Sequence, residues 1–301
     1  MNKWIKRGAF GLGALALLAG CAGVAALLAA EWRMTRTLDI AVAPLALDQR
    51  ATTMQHGRYL FSSRGCAHCH GDDGAGRRVI DADGMLVVAP NITRGAGSVV
   101  TGYSSQDWVR VLRHGVKPDG TPVMIMPSED WARMSDSDAS ALIGYTIGLP
   151  PVAGQAAVIK LPLPVRVLYG AGLVKDAAAK IDHSLPVQAA STAAVSLEHG
   201  KYLASMCMGC HGATLGGGAI PGAPPSWPAA ANLTPGAGSV LPVYRTAEQF
   251  RAMMRTGRRP DGSAVDPSMP FEALRTMNDT DLDAMLLYFR SLPPVATGQR
   301  H

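Results

Sequence analysis

Cysteine is scarce in this chain, five residues in 301, and charge is absent altogether from the 23 residues Gly8 to Ala30. Four of the cysteines fall in two close pairs, and no further pair follows either of them downstream. A structural zinc site needs four ligands in tetrahedral array, so each region lacks its second half. Basic excess is small as well: the net charge is +5, and Lys3, Lys6 and Arg7 stand before the uncharged run. A cluster in that place is a topology signal, and the basic balance implies no nucleic-acid partner. The apolar share, 48%, is that of a globular protein, and 301 residues suffice for about two domains with an appendage.

The uncharged run is the appendage. As a helix it measures roughly 34 Å, against about 30 Å for a bilayer's hydrocarbon core. Trp4 and Trp32 bracket it, as aromatic side chains do at the two interfaces, and the positive cluster keeps the N-terminus cytoplasmic. Residues 1–34 are therefore expected to be an uncleaved anchor or a signal segment, with everything after them in the periplasm. The words "LAGC", Leu18 to Cys21, leave a second route open, in which Cys21 is lipidated and the preceding residues are removed; an ordinary cleaved signal peptide is the third.

Past the anchor the chain repeats itself at an offset of 141 to 143 residues. "HGRYL" at His56 returns as "HGKYL" at His199, "CAHCHG" at Cys66 as "CMGCHG" at Cys207, and "PNIT" at Pro90 as "ANLT" at Ala231. "VLRHGVKPDGTPV" from Val111 is echoed from Met253, "MP" at Met126 by Met269, and "GLPPV" at Gly148 by "SLPPV" at Ser291. Two homologous domains are expected, 50–152 and 195–301, with a linker at 153–194. That linker contains "IKLPLPVRVLYGAG", apolar enough to pack between domains rather than act as a free tether.

His68 has no counterpart in the second copy, where Gly209 stands, whereas Cys, Cys and the following His recur at the same spacing. The shared pattern is C-x-x-C-H. A disulfide between the two cysteines would leave the adjoining histidine without a reason in both copies. Two thioether bonds to haem vinyl groups need two thiols about one helical turn apart, and the next residue then offers its imidazole to the iron. Cys66 and Cys69 are thus expected to hold one haem with His70 as ligand, and Cys207 and Cys210 a second with His211. Met126 stands 56 residues after His70 and Met269 stands 58 after His211, each followed by proline and preceded by an Asp-Gly turn. A thioether from each closes the sixth position and raises the iron's potential. Met124 lacks a partner in register, and Met206 and Met208 are read as packing residues.

The coarse secondary structure is helical. Segments Thr52–Ser63 and Ser104–Arg113 carry apolar residues at helical spacing. The last helix of each domain opens with Ser135 or Asn278 as cap, has Asp138 or Asp281 in its first turn, and ends at Leu-Pro-Pro. Tyr145 and Tyr288 are expected to pack on the first helix of their own domain. Asn91-Ile92-Thr93 matches a glycosylation pattern, but in this compartment it reads as a haem-wrapping turn.

On these motifs each half resembles a class I c-type cytochrome domain. "PNIT", the Trp108–Arg113 stretch, "MP" and "LPPV" together are similar to the cytochrome c subunits of membrane-bound bacterial dehydrogenases for alcohols, sugars and sugar acids. The resemblance covers about 200 of the 301 residues, and the chain departs from it in carrying two C-x-x-C-H motifs where those subunits usually carry three. It implies a mainly α fold of two tandem cytochrome c domains after the N-terminal segment, and two covalent haems c. The function expected is electron relay, without catalytic residues, at the bacterial inner membrane: from a dehydrogenase or quinol-oxidising complex towards a terminal oxidase or soluble cytochrome. The alternatives are a dihaem subunit of a membrane oxidase and a dihaem peroxidase. Arg251, Arg255, Arg258 and Arg259, with Arg110, Arg113 and Lys117 in register, offer either a dock for an acidic partner, contacts to haem propionates or a solvated helix face.

Overall fold

The computed structural model describes residues 3–48, 50–224 and 226–300; the side chains of Lys3, Lys6 and Arg7, expected to set topology, lie outside the described residues. The first helix, α1, spans Lys3–Thr35, and its stretch Phe10–Thr35 is long and apolar enough to cross a membrane. Leu12, Leu15, Leu17, Leu18 and Leu28 stand exposed along it, as in a membrane anchor. Residues 36–48 then run along the body instead of hanging free. Leu38 N–H donates to the Gly120 carbonyl (2.8 Å), the Val42 carbonyl accepts from Gln106 (3.1 Å), and the Ala46 carbonyl accepts from Ser140 (2.9 Å).

The first half consists of α2 (Ala51–Ser63), α3 (Cys66–His70), β1 (Arg78–Ala82), β2 (Met85–Val88), α4 (Ser105–His114) and α5 (Asp136–Ile147). The capping expectations hold. Ser135 accepts from Asp138 N–H and, in the second half, Asn278 from Asp281 N–H, and α5 stops short of Leu149-Pro150-Pro151; Ser104, read as the first residue of a helix, is instead its cap and accepts from Asp107 N–H. Helices α2 and α5 cross at Gly57, where an added methyl would overlap the Ala141 carbonyl and come within 2.7 Å of Tyr145 Cβ. Tyr145 does pack on the first helix of its half, its ring edge-on to Phe61 at 5.5 Å. Leu60, Phe61, Val109, Leu112, Trp131 and Ile143 form the core. Each such buried side chain contributes about 1.5–3 kcal/mol through removal from water.

Strands were not expected. "DADGML" makes a hairpin in which Asp83 and Gly84 both take positive φ (52° and 76°), the conformation an Asp-Gly turn supplies, so β1 pairs antiparallel with β2. β3 (Val158–Lys160), from the linker, completes a three-stranded antiparallel sheet on β2. The linker continues as α6 (Leu163–Gly170) and α7 (Ala177–Lys180). It packs, as its apolar content demands, but against α1 and the first half instead of between the two halves: a methyl on Gly115 would meet Ala177 Cβ at 2.7 Å, and Gln188 N–H donates to the Arg133 carbonyl.

The second half holds α8 (Leu197–Ala204), α9 (Met208–His211), α10 (Ala247–Thr256), α11 (Phe271–Leu274) and α12 (Asp279–Ser291), in the same order as the helices of the first half. α8 crosses α12 at Gly200, where a methyl would overlap the Ala284 carbonyl and approach Tyr288 Cβ to 2.6 Å. Leu203, Phe250, Met254, Leu282, Met285 and Phe289 are its core.

Candidate functional site

Each C-x-x-C-H sits on a short helical turn closed by a glycine at positive φ, and the first is also preceded by one. Gly65 and Gly71 bracket α3 at φ 82° and 77°, and Gly212 closes α9 at φ 82°. Burial pushes the Cys66 and Cys207 thiols up to about 12, against the opposing pull of Arg64, so an unmodified thiol at either place is protonated. The histidines are held by their backbone neighbours. His70 Nδ1–H donates to the Pro90 carbonyl (2.9 Å) and His211 Nδ1–H to the Ala231 carbonyl (2.8 Å). That bond fixes the tautomer and turns Nε2 into a lone-pair donor. Burial lowers both imidazole pKa values and keeps the rings neutral, the form a metal binds.

The carbonyls are themselves positioned by the residue that follows. Asn91 is fully buried and its Nδ2 donates to the Val152 (2.8 Å) and Ala96 (3.2 Å) carbonyls, while its Oδ1 accepts from Thr93 N–H and Oγ1 (2.8 Å each). Asn232 repeats the arrangement on the Val295 and Ala237 carbonyls and on Thr234. So Asn91 is a structural clamp between the attachment loop and the exit of α5, and its burial excludes a glycan. Met126 and Cys66 pack against the first core; Met269 and Cys207 pack against the second. In each half the structure therefore brings a thioether and the first thiol of the motif to one apolar cluster. Met208 lies exposed in its loop.

The halves are joined through tyrosines whose role sequence reasoning missed. Tyr59 of α2 donates to Asp281 (2.7 Å) of α12, and Tyr202 of α8 donates to Asp138 (2.6 Å) of α5. Each aspartate is also held from its own half, Asp138 by His56 and Asp281 by His199, both at 2.8 Å. Each tyrosine oxygen in turn accepts a cap amide across the interface, from Asn278 and Ser135 at 3.2 Å. The exchange is reciprocal, as in a two-fold interface. Burial and the facing carboxylate push both phenols up to about 12, so they remain donors. The recurrence of His and Tyr in "HGRYL" and "HGKYL" was the available signal. The attachment loops also meet the opposite half: His68 pairs with Glu272 (2.6 Å), which Arg77 also reaches (2.8 Å), whereas a methyl on Gly209 would come within 2.7 Å of Asp130. This explains why His68 has no counterpart. Burial, reinforced by Glu129, raises the Asp130 carboxyl to about 7.

Of the basic residues, Arg251 is occupied by Asp283 (2.6 Å), Arg255 by Asp279, Arg110 by Asp107 (2.6 Å) and Arg113 by Asp136 (2.8 Å). These four serve helix faces of their own half. Arg258 and Arg259 bond the turn around Gly262 to Ala264.

The paired thiols and following imidazole are the donor set that a c-type cytochrome uses, and the chain is similar to proteins of that class. Residues 52–145 match the family described as cytochrome C oxidase, cbb3-type, subunit III, and carry a cytochrome c domain. The chain is similar to the fructose dehydrogenase cytochrome subunit of Gluconobacter japonicus, 27% identical over 280 residues, covering 85% of this chain and 56% of the relative. It is likewise similar to the alcohol dehydrogenase (quinone) cytochrome c subunit of Gluconobacter oxydans (strain 621H), 26% identical over 279 residues, covering 84% of this chain and 58% of that one. A third relative, the gluconate 2-dehydrogenase cytochrome c subunit of Pantoea cypripedii, is 28% identical over 182 residues, covering 57% of this chain and 41% of its own length. The chain thus spans little more than half the length of the first two. It resembles electron-transfer cytochrome subunits rather than catalytic ones, and that class implies covalent haem c with iron.

Proposed function

We propose that the chain is a membrane-anchored, periplasm-facing dihaem cytochrome c, built of two tandem cytochrome c domains, which passes electrons from a dehydrogenase or quinol-oxidising complex towards a terminal oxidase or soluble cytochrome. The observation that carries this reading is the duplicated histidine: in both halves Nδ1 is spent on the carbonyl before an Asn clamp, which leaves Nε2 for iron. Haem c supplies reversible one-electron chemistry. The chain's residues do the rest. Cys66 and Cys69, and Cys207 and Cys210, would form the thioether bonds; His70 and Met126, and His211 and Met269, would hold the irons, and an iron whose ligands all come from the protein would favour electron transfer over peroxide or oxygen chemistry.

Haem stoichiometry with optical and magnetic spectra of the full chain tests it, together with Met126→Ala and Met269→Ala. Two low-spin haems per chain are expected, each variant losing the methionine–iron signature of one of them. A single haem, or a high-spin, peroxide-reactive haem in the unmutated chain, overturns the proposal.

A further inference from the structure

The linker leaves the sheet at Lys160, travels to the membrane helix and comes back, and its turning point lies beside the apolar part of α1. At Gly170 a methyl would overlap the Ala26 carbonyl oxygen and come within 3.0 Å of the Ala30 amide. Ala30 is wholly covered by this contact zone. Arg166, one turn earlier in α6, reaches Glu31 (3.5 Å), the first charge after the uncharged run. The chain is back at the body by Asp176, which bonds Arg36 (2.9 Å) and Tyr169 (2.7 Å). Ala26 lies four residues, about 6 Å, inside Ala30 along a helix. The bend therefore lies deeper than the first charged residue of the anchor.

Its side chains divide accordingly. Tyr169 is fully buried with its hydroxyl on Asp176 and Arg36, while Leu163 (61% exposed), Leu168 (40%) and Leu173 (68%) face outward. Leu28 and Trp32 of α1 are exposed at the same level, on the helix face turned away from Ala26 and Ala30. The backbone is also closed on itself: the amides of Ala171, Gly172, Leu173 and Val174 donate to the carbonyls of Val167, Tyr169, Leu168 and Leu168 at 2.9 to 3.3 Å. Irregular backbone tolerates lipid only when its donors are satisfied internally. An apolar tip, an ion pair at its rim and a tryptophan at the same level are the features of an interfacial element.

We infer that residues 163–174 are a second membrane contact, an apolar finger that enters the leaflet at the C-terminal end of α1. The inference rests on α1 being a retained membrane span. The test is spin-label accessibility in the full-length holoprotein, in phosphatidylcholine–phosphatidylglycerol nanodiscs, on a Cys21→Ala background. Labels at Leu168→Cys and Leu173→Cys are compared with one at Leu185→Cys, an exposed linker position outside the finger. The finger labels are expected to collide several-fold more with oxygen and several-fold less with a water-soluble nickel chelate than the control. Nickel access equal to that of position 185, in protein retained by the discs, overturns the finger alone. Protection from both reagents overturns it in favour of a second copy covering the leucines. Failure of the chain to enter the discs overturns the anchor reading first, and the finger with it.

Discussion

Removing one phenol oxygen from the clasp between the halves isolates a single hydrogen bond to a buried carboxylate. Tyr59→Phe leaves Asp281, almost fully buried, with His199 and a distant Arg64 (3.8 Å), and strips the cross-interface acceptor from Asn278 N–H. A hydrogen bond to a charged group is worth about 1.5–3 kcal/mol, and the orphaned cap amide adds up to about 1. The expected loss is therefore about 2–4 kcal/mol. Tyr202→Phe should cost less, about 1.5–3 kcal/mol, because Asp138 is more accessible and keeps His56. The two sites share one interface, so the double variant should cost less than the sum of the singles, a coupling of about 0.5–3 kcal/mol. Denaturant unfolding of the holoprotein, followed by far-ultraviolet dichroism and by the haem Soret band, measures all four corners. The clasps should also hold the two halves to one transition, so the variants should separate the probes. Both single variants within 0.5 kcal/mol of the parent, about the scatter of neutral surface changes, would refute the idea that this exchange fixes the halves together.

Two further outcomes are expected. His183 Nε2–H donates to the Ala178 carbonyl (3.1 Å) and its Nδ1 is bonded to His114 Nδ1 at 3.0 Å, a pairing in which one of the two Nδ1 atoms must offer its lone pair. Burial, helped by His183, Arg113 and Arg110, lowers His114 to about 4 from the ordinary 6.5; the unfolded chain then binds the extra proton first, so stability is complete above pH 6.5 and falls as pH drops towards 4. Discounted for the solvent that reaches a half-buried ring, the loss is about 1–2 kcal/mol, and the difference in acid unfolding between the parent and His114→Gln should reveal it. Gly57→Ala and Gly200→Ala should each cost about 3 kcal/mol or more by forcing their helix pairs apart, read as a drop in denaturation midpoint; a neutral result at either site contradicts the packing described.

The attachment loops, caps and helix stops were legible because their causes are local. A cysteine pair with a following histidine, a serine three residues before an aspartate, or a Leu-Pro-Pro stop acts within one turn of chain. Asp138 and Asp281 show where that reasoning ends: each was read as a favourable charge at a helix start, which it is, but one carboxylate oxygen of each accepts from a tyrosine of the opposite half. Nothing within ten residues of either aspartate announces that partner. The hairpin at Asp83-Gly84 was the reverse case, a local signal available and passed over, while β3 could not be read because its pairing with β2 spans about seventy residues. The position of the linker depended on α1, whose contact with Gly170 only the fold reveals.

The bonded run from Thr35 to Asp48 has a consequence for how such a protein meets others. A chain tethered by a slack leash sweeps a hemisphere and samples partners at many heights above the bilayer. Here Leu38, Val42 and Ala46 are tied to the first half, and Arg36 is locked to Asp176, so there is no slack to pay out. Were α1 to lie in the bilayer as proposed, any search for a partner would be lateral, with the body held at one height and one tilt and turning only about the membrane normal.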